Sequence, residues 1–369
     1  MDPPAGGDRR LTRHADVRAV LADPRFLVPA APAGTDTGTG MAWLRGAVSR
    51  FSNGAEHACR RARVLGVLDA LDPVRLRRAA YERTSAELAG GARVDVMARV
   101  ARRVPAGVLA THLGIPEDRS EEVVAAVTAM AAAYHLPPAP GPAAAGAPPG
   151  RGRGGRPPEG TAPAAEPGDA AVGVLAAALG GGEEPEPALL AAVAGVLVQA
   201  CDATAGLVGN ALAVVTRLPA DLAVRWPVEA LLAETLRWDP PVRLTRRVAA
   251  EDATAGRVPV PAGAVLVLDL AAANRDPEVF PDPHRFDPGR FNPGRFDPVP
   301  SGGAGHLGFG DGIRPCPGER AALALAAGVV EAAAGRRLAD PEIPYEPSPN
   351  LRVPARLHLE GAETMERPR

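Results

Sequence analysis

The chain contains no lysine, so all 41 of its basic residues are arginine. It has three cysteines in 369 residues: Cys59, Cys201 and Cys316. So few, odd in number and far apart, they exclude a disulfide framework and point to a reducing compartment, the cytoplasm. There is no strong charge of either sign. The formal net charge of -2 gives no reason to expect nucleic acid or an acidic membrane as partner. The first residues, MDPPAGGDRRLTRHADVR, have no apolar core and read as neither a signal peptide nor an anchor. The most apolar stretch, 191–215, is broken by Gln199, Asp202, Thr204 and Asn210. It reads as a long buried helix, not a membrane span.

What is present is ample material for a core: 46% of the residues are hydrophobic. The length suits one large domain or two ordinary ones. Ala, Gly, Pro and Arg dominate, as in a GC-rich genome. Helical spacing is predicted over 15–23, 56–71, 73–90, 94–113, 119–135, 187–217, 227–238 and 318–337. Residues 28–54 read as a long loop with at most one helical turn, around Met41, Trp43 and Leu44. Strand patterns occupy 242–249, 257–260 and 264–270. Residues 136–168 are a low-complexity run of Pro, Gly, Ala and Arg, read as a flexible insertion within a single domain spanning 1–369. The fold class is mainly α with small β-sheets.

The chemistry concentrates late in the chain, where residues 306–318 read HLGFGDGIRPCPG. Gly308, Gly310 and Gly312 allow tight bends and close approach to a flat ligand. Cys316 precedes a helix, whose N–H groups and positive end favour a thiolate. Phe309, Gly312, Arg314, Cys316 and Gly318 complete the phrase F-x-x-G-x-R-x-C-x-G.

In this phrase the chain resembles the cytochrome P450 monooxygenases, whose haem loop it matches. The resemblance covers about residues 10–358. It implies the P450 fold, with haem b held between a long central helix and the cysteine loop. Cys316 would be the axial iron ligand, with Phe309, Gly310 and Gly318 lining that loop. Thiolate ligation favours O–O cleavage. Glu234 and Arg237 match the family's E-x-x-R helix, and Arg285 in PDPHRFDP matches the arginine that joins them in a structural triad. His57 and Arg61 match its H-x-x-x-R helix, and with Arg247, His306 and Arg314 form the expected cation set for the haem propionates. Cys59 and Cys201 carry no assigned role.

The long helix resembles the oxygen-binding motif A/G-G-x-D/E-T-T, with departures. Asp202 matches the acid and Thr204 the second threonine, but Ala203 stands where the first threonine belongs and Ala200 replaces a glycine. Dioxygen reduction needs protons. Without a hydroxyl at 203, a substrate hydroxyl or an ordered water is expected to relay them, with Asp202 as the link to solvent; one-electron chemistry and slow, uncoupled turnover are the alternatives. Family members carry about forty further residues before the segment LTRHADVRAVLADPRF, more than a boundary error. The N-terminus is therefore expected to be shortened, lacking the first helix and part of a sheet, unless the start is assigned late. The lid helices are expected at 119–135 and, for the second, within the low-complexity run or 170–179. Met41, Trp43, Leu44, Val242, Arg243 and Leu244 are expected to line the substrate pocket, where Arg243 could meet a carboxylate.

The resemblance implies a monomeric monooxygenase of secondary metabolism, acting on a small molecule. No flavin or dinucleotide motif is present, so electrons would come from a separate ferredoxin. Two alternatives stand beside it: oxidative coupling without oxygen insertion, and a non-catalytic haem- or ligand-binding relative.

Overall fold

The structure, a computed structural model, describes residues 9–31, 39–89, 93–134, 166–218, 225–291 and 305–361. Most of the insertion at 136–168 lies outside them.

The helices follow the apolar spacing closely. They are α1 (His14–Ala22), α2 (Gly40–Ala47), α3 (Gly54–Asp69), α4 (Pro73–Leu88), α5 (Arg103–His112), α6 (Ser120–Tyr134), α7 (Asp169–Gly180), α8 (Pro187–Val215), α9 (Val228–Trp238), the short α10 (Leu270–Ala273) and α11 (Glu319–Ala332). Asp72 caps α4, accepting from the Val74 N–H, with Pro73 in the first turn. α8 threads the main core. It is long and apolar enough to cross a membrane, yet 61% of its most apolar eighteen-residue window is buried inside the fold. Burial is continuous from Leu190 to Val198 and from Thr204 to Ala213. Between them Gln199 is exposed, and Ala200, Asp202 and Ala203 are half-buried.

α4 and α11 form the tightest helix pair, because Gly328 has no side chain: a Cβ there would collide with the Arg77 carbonyl. One four-stranded sheet has the order β1-β7-β4-β2, using Arg9–Leu11, Val265–Asp269, Leu244–Ala249 and Phe26–Leu27. β1 runs parallel to β7, and the other pairs are antiparallel. Thus the first described strand lies against one from late in the chain. A second sheet, β3-β9-β8, joins Arg93–Asp95, His358–Glu360 and Arg337–Leu338. Ala253–Ala255 and Val258–Val260 form the hairpin β5-β6.

Two expectations change. The predicted loop 28–54 contains the two-turn helix α2, whose Met41, Trp43 and Leu44 are buried. Its apolar residues were outweighed by flanking Gly and Pro. The helix predicted from 94 begins as strand β3, because Arg93–Asp95 pair with His358–Glu360. A wide helical turn, Met97–Ala101, then leads into α5.

Candidate haem-thiolate site

The cysteine loop is fixed by its own backbone. The Cys316 N–H donates to the Phe309 carbonyl at 2.8 Å, and Gly310 N–H to Leu307 O at 2.9 Å. Gly310 and Gly312 have φ of 72° and 67°. At Gly312 a Cβ would also collide with the Leu21 carbonyl, so only glycine fits. Arg18 pairs with Asp311 at 2.5 Å and ties the loop to α1. The Cys316 side chain is exposed at the start of α11. Crowding by surrounding protein pushes its thiol above the ordinary value. The Gly318 N–H and Arg61 pull it down, and Glu319 opposes them. The helix end alone does not make this cysteine a thiolate; a Lewis acid at the sulfur would. Among the described residues no group of three His, Cys, Asp or Glu could cage a bare metal ion.

Next to it stands a concentration of positive charge. Arg61 donates to the Pro315 carbonyl at 2.7 Å. Arg314 donates to Asn53 Oδ1 at 3.0 Å, to the Ser49 and Ser52 carbonyls at 3.0 and 2.9 Å, and to His57 Nδ1 at 2.8 Å. Arg247 is buried and, among the described residues, donates only to Thr245 Oγ1 and the Arg246 carbonyl. Among the described residues none of these three arginines, nor Arg50, has an acidic partner. Burial first, and neighbouring arginines second, lower both Arg247 and Arg314 to about 10. For Arg247 those neighbours are Arg314 and Arg50; for Arg314 they are Arg61 and Arg50. His57 Nε2 is buried with no partner among the described residues. Nδ1 also lies 3.0 Å from the Ser49 carbonyl, so it faces a donor and an acceptor at once, while Nε2 faces neither. Burial, then Arg314, lower the His57 pKa. A cluster of cations without acids, beside an unpaired imidazole nitrogen, fits a ligand with carboxylates, as haem has. The expected set of His57, Arg61, Arg247 and Arg314 is thus brought together.

His306 does not join them. Its ring packs edge-on to Phe291 and tilted against Phe309, and its Nδ1 accepts from the Gly308 N–H at 3.2 Å. Burial, with a smaller push from Arg237, holds it at about 4, so it is neutral and braces the loop.

The supporting triad also needs correction. Glu234 and Arg237 are wholly buried and joined by two hydrogen bonds, of 2.7 and 2.6 Å. Glu234 also accepts from the Asp287 N–H at 2.8 Å. Burial pushes its carboxyl up, while Arg237 and that N–H pull it back. The third member is Arg290, at 3.7 Å from Glu234. Arg285 is exposed and offers only its carbonyl, to Arg237 at 2.9 Å. Two Arg-Phe pairs occur in HRFDPGRF, and the second is the one that reaches. Asn274, unnoticed in the sequence, links triad to loop: its carbonyl accepts from Arg237, and its Oδ1 accepts from the Leu307 N–H at 2.7 Å.

On α8, Asp202 is bound to Arg102 at 2.5 Å, and Arg102 also holds Glu346 at 2.5 Å. Burial works against the Arg102 charge, but the two carboxylates outweigh it and raise its pKa. Asp202 is thus an ion-pair partner in this structure, not a free link to solvent. Ala203 is half-buried and Thr204 buried. Gln199, where the motif expects Ala or Gly, is exposed and donates to the Gly195 carbonyl at 2.9 Å.

The expected pocket residues separate into two groups. Trp43 lines a cavity of about 310 Å³ with Val48, Ser49, Gly195 and Gln199. Met41 and Leu44 are core residues with no exposed surface. Val242 bridges to Leu351, Leu244 opens β4 opposite Asp269, and Arg243 is exposed. None of 242–244 lines that cavity.

Residues 222–325 match the family model for cytochrome P450. The putative cytochrome P450 140 of Mycobacterium tuberculosis is 43% identical over 148 residues, covering 38% of this chain and 31% of the relative. Cytochrome P450 107B1 of Saccharopolyspora erythraea is 35% identical over 196 residues, covering 52% and 43%. The chain therefore spans, in these alignments, less than half the length of the curated relatives it matches. The fold likeness reaches further. P450BioI, solved in complex with an acyl carrier protein, superposes with a TM-score of 0.74 at 20% identity, over 96% of this chain and 92% of the other. The open form of EryK from S. erythraea gives 0.72 at 21%, over 98% and 92%. Residues 222–325 thus carry the cytochrome P450 match, and the chain as a whole shares the fold of solved P450 proteins.

Proposed function

We propose that the chain is a haem-thiolate monooxygenase, oxidising a small organic molecule with dioxygen and electrons from a separate ferredoxin-type donor. The observation that supports it most is the exposed Cys316 thiol beside arginines that no acid in the described chain neutralises. Haem b, when bound, supplies dioxygen activation. Cys316 would hold its iron. Arg61, Arg247, Arg314 and the orphaned His57 Nε2 would hold its propionates, and Phe309, Gly310 and Gly318 would shape the loop beneath it. One relative is named 6-deoxyerythronolide B hydroxylase, which favours oxygen insertion, and another pulcherriminic acid synthase, which favours a biosynthetic setting.

The residues on α8 favour a second reading in part. With Ala203 lacking a hydroxyl and Asp202 held by Arg102, the chain's own proton path is weak. Either the substrate or a water supplies that path, or the reaction is a one-electron coupling that inserts no oxygen. Turnover under isotopically labelled dioxygen separates these. Label in the product supports the monooxygenase; a coupled product without label contradicts it.

A further inference from the structure

Three arginines and a histidine already suffice for two propionates, yet a fourth arginine belongs to the same cluster. Arg50 lies in the turn Ser49–Phe51, between the two carbonyls, of Ser49 and Ser52, that Arg314 grips at 3.0 and 2.9 Å. Its side chain is exposed and has no acidic partner among the described residues. Its guanidinium lies 5.6 Å from the Phe51 ring centre, and Phe51 packs on Tyr134 with ring centres 5.2 Å apart. Tyr134 closes α6, is 4% exposed, and its hydroxyl is buried with no partner among the described residues. A buried hydroxyl left unpaired is costly, so an acceptor is missing there. Burial raises the phenol's pKa, with Arg50 the one charge opposing it, so the group is a neutral donor. A surplus cation and an orphaned donor thus flank one aromatic ring. The four arginines exceed two propionates by two charges.

We infer that Arg50, Phe51 and Tyr134 form the recognition site for a carboxylate on the substrate, so that the molecule oxidised is an organic acid. Arg50 provides charge and hydrogen bonds to the carboxylate, Tyr134 donates a further bond, and Phe51 offers its face to the adjoining carbon chain. This places the acid at Arg50 rather than at Arg243, which immediately precedes the strand Leu244–Ala249 and is exposed. The inference rests on the haem-thiolate reading above.

The test uses haem-loaded protein, with the reduced carbon-monoxide spectrum recorded first. A thiolate spectrum establishes the underlying reading independently. Octanoate, dodecanoate and 3-phenylpropionate are then titrated, each against its corresponding alcohol, and spin-state change of the haem is followed. At least one acid is expected to bind about tenfold or more tighter than its alcohol. Arg50→Gln should remove that preference and leave alcohol binding and haem content unchanged, and Tyr134→Phe should weaken the acid severalfold. Equal binding of acids and alcohols, no spectral response to any of the three acids, or an unaltered preference in Arg50→Gln would overturn the inference. So would a loss of haem in Arg50→Gln as large as in Arg61→Gln, which would assign Arg50 to the propionates.

Discussion

The cysteine loop and the middle of α8 are built on opposite principles. Around Cys316 nearly every polar group is tied down by backbone or by buried partners: Asn274 to Leu307, Asp311 to Arg18, Arg314 to three acceptors of the turn at 49–53. What is left over there, the unpaired His57 Nε2 and the arginine charges, is left over in a pattern that fits one kind of ligand. In the middle of α8 the reverse holds. The ionised residue, Asp202, already has a partner, and the open positions, Gln199, Ala200 and Ala203, offer one amide and two methyl groups. A rigid, complete loop beside a chemically sparse helix implies that binding the cofactor is the chain's own work. Proton supply on the other side depends on what else binds.

The comparison predicts where substitutions hurt. The largest effect should come from Arg237→Ala, which strands a buried carboxylate at Glu234; about 3–5 kcal/mol of stability should go, measured by chemical denaturation. A loss below 1 kcal/mol would show that the triad does not support the loop.

The next effect is one of pH. His306 is held at about 4 against an ordinary 6.5. Its neutral form is the one the fold favours, so its contribution is complete above about 6.5 and is lost as pH falls toward 4, where the unfolded chain takes up the proton first. The expected loss is about 2–3 kcal/mol by pH 4. The burial that lowers His14 and His57 acts in the same direction. His306→Gln should therefore shallow the acid limb without abolishing it; an unchanged limb would show that His306 is not kept neutral by the fold.

On α8 the expected changes are in chemistry rather than stability. Ala203→Thr supplies the missing hydroxyl and should lower peroxide leakage relative to product by about a hundredfold, the lower edge of what a positioned proton donor gives. Arg102→Gln, which frees Asp202, should move the same ratio in the same direction. If neither variant changes it, proton supply is not what limits this helix. The smallest effect should be Arg285→Ala: an exposed side chain whose carbonyl alone is used should shift stability by no more than about 0.5 kcal/mol, against a clear loss for Arg290→Ala.

Much of the loop was legible because its constraints are local. Glycines with positive φ, a cysteine at a helix start and residues four apart on α3 leave their mark at fixed spacings. The long helices were legible through their apolar period. What was not legible depends on contacts between distant segments. The two-residue strand at Phe26–Leu27 has no periodicity to detect, and β3 exists only because the C-terminal strand reaches it. Arg285 and Arg290 sit in near-identical Arg-Phe surroundings, and only packing tells which reaches Glu234. Asp202 matched its motif in type and position, and nothing nearby in sequence announced Arg102. Arg50 and Tyr134 carry no motif at all; the signal is an unpaired buried hydroxyl, which exists only in three dimensions.

The central claim is that Cys316 is the sulfur ligand of a haem held by His57, Arg61, Arg247 and Arg314. The reduced carbon-monoxide difference spectrum tests it most directly, recorded on the haem-loaded protein and on Cys316→His. The account predicts the long-wavelength Soret band of thiolate-ligated haem in the native chain and its replacement by a histidine-type band in the variant. A histidine-type band in the native chain, or the same band in both proteins, would contradict it.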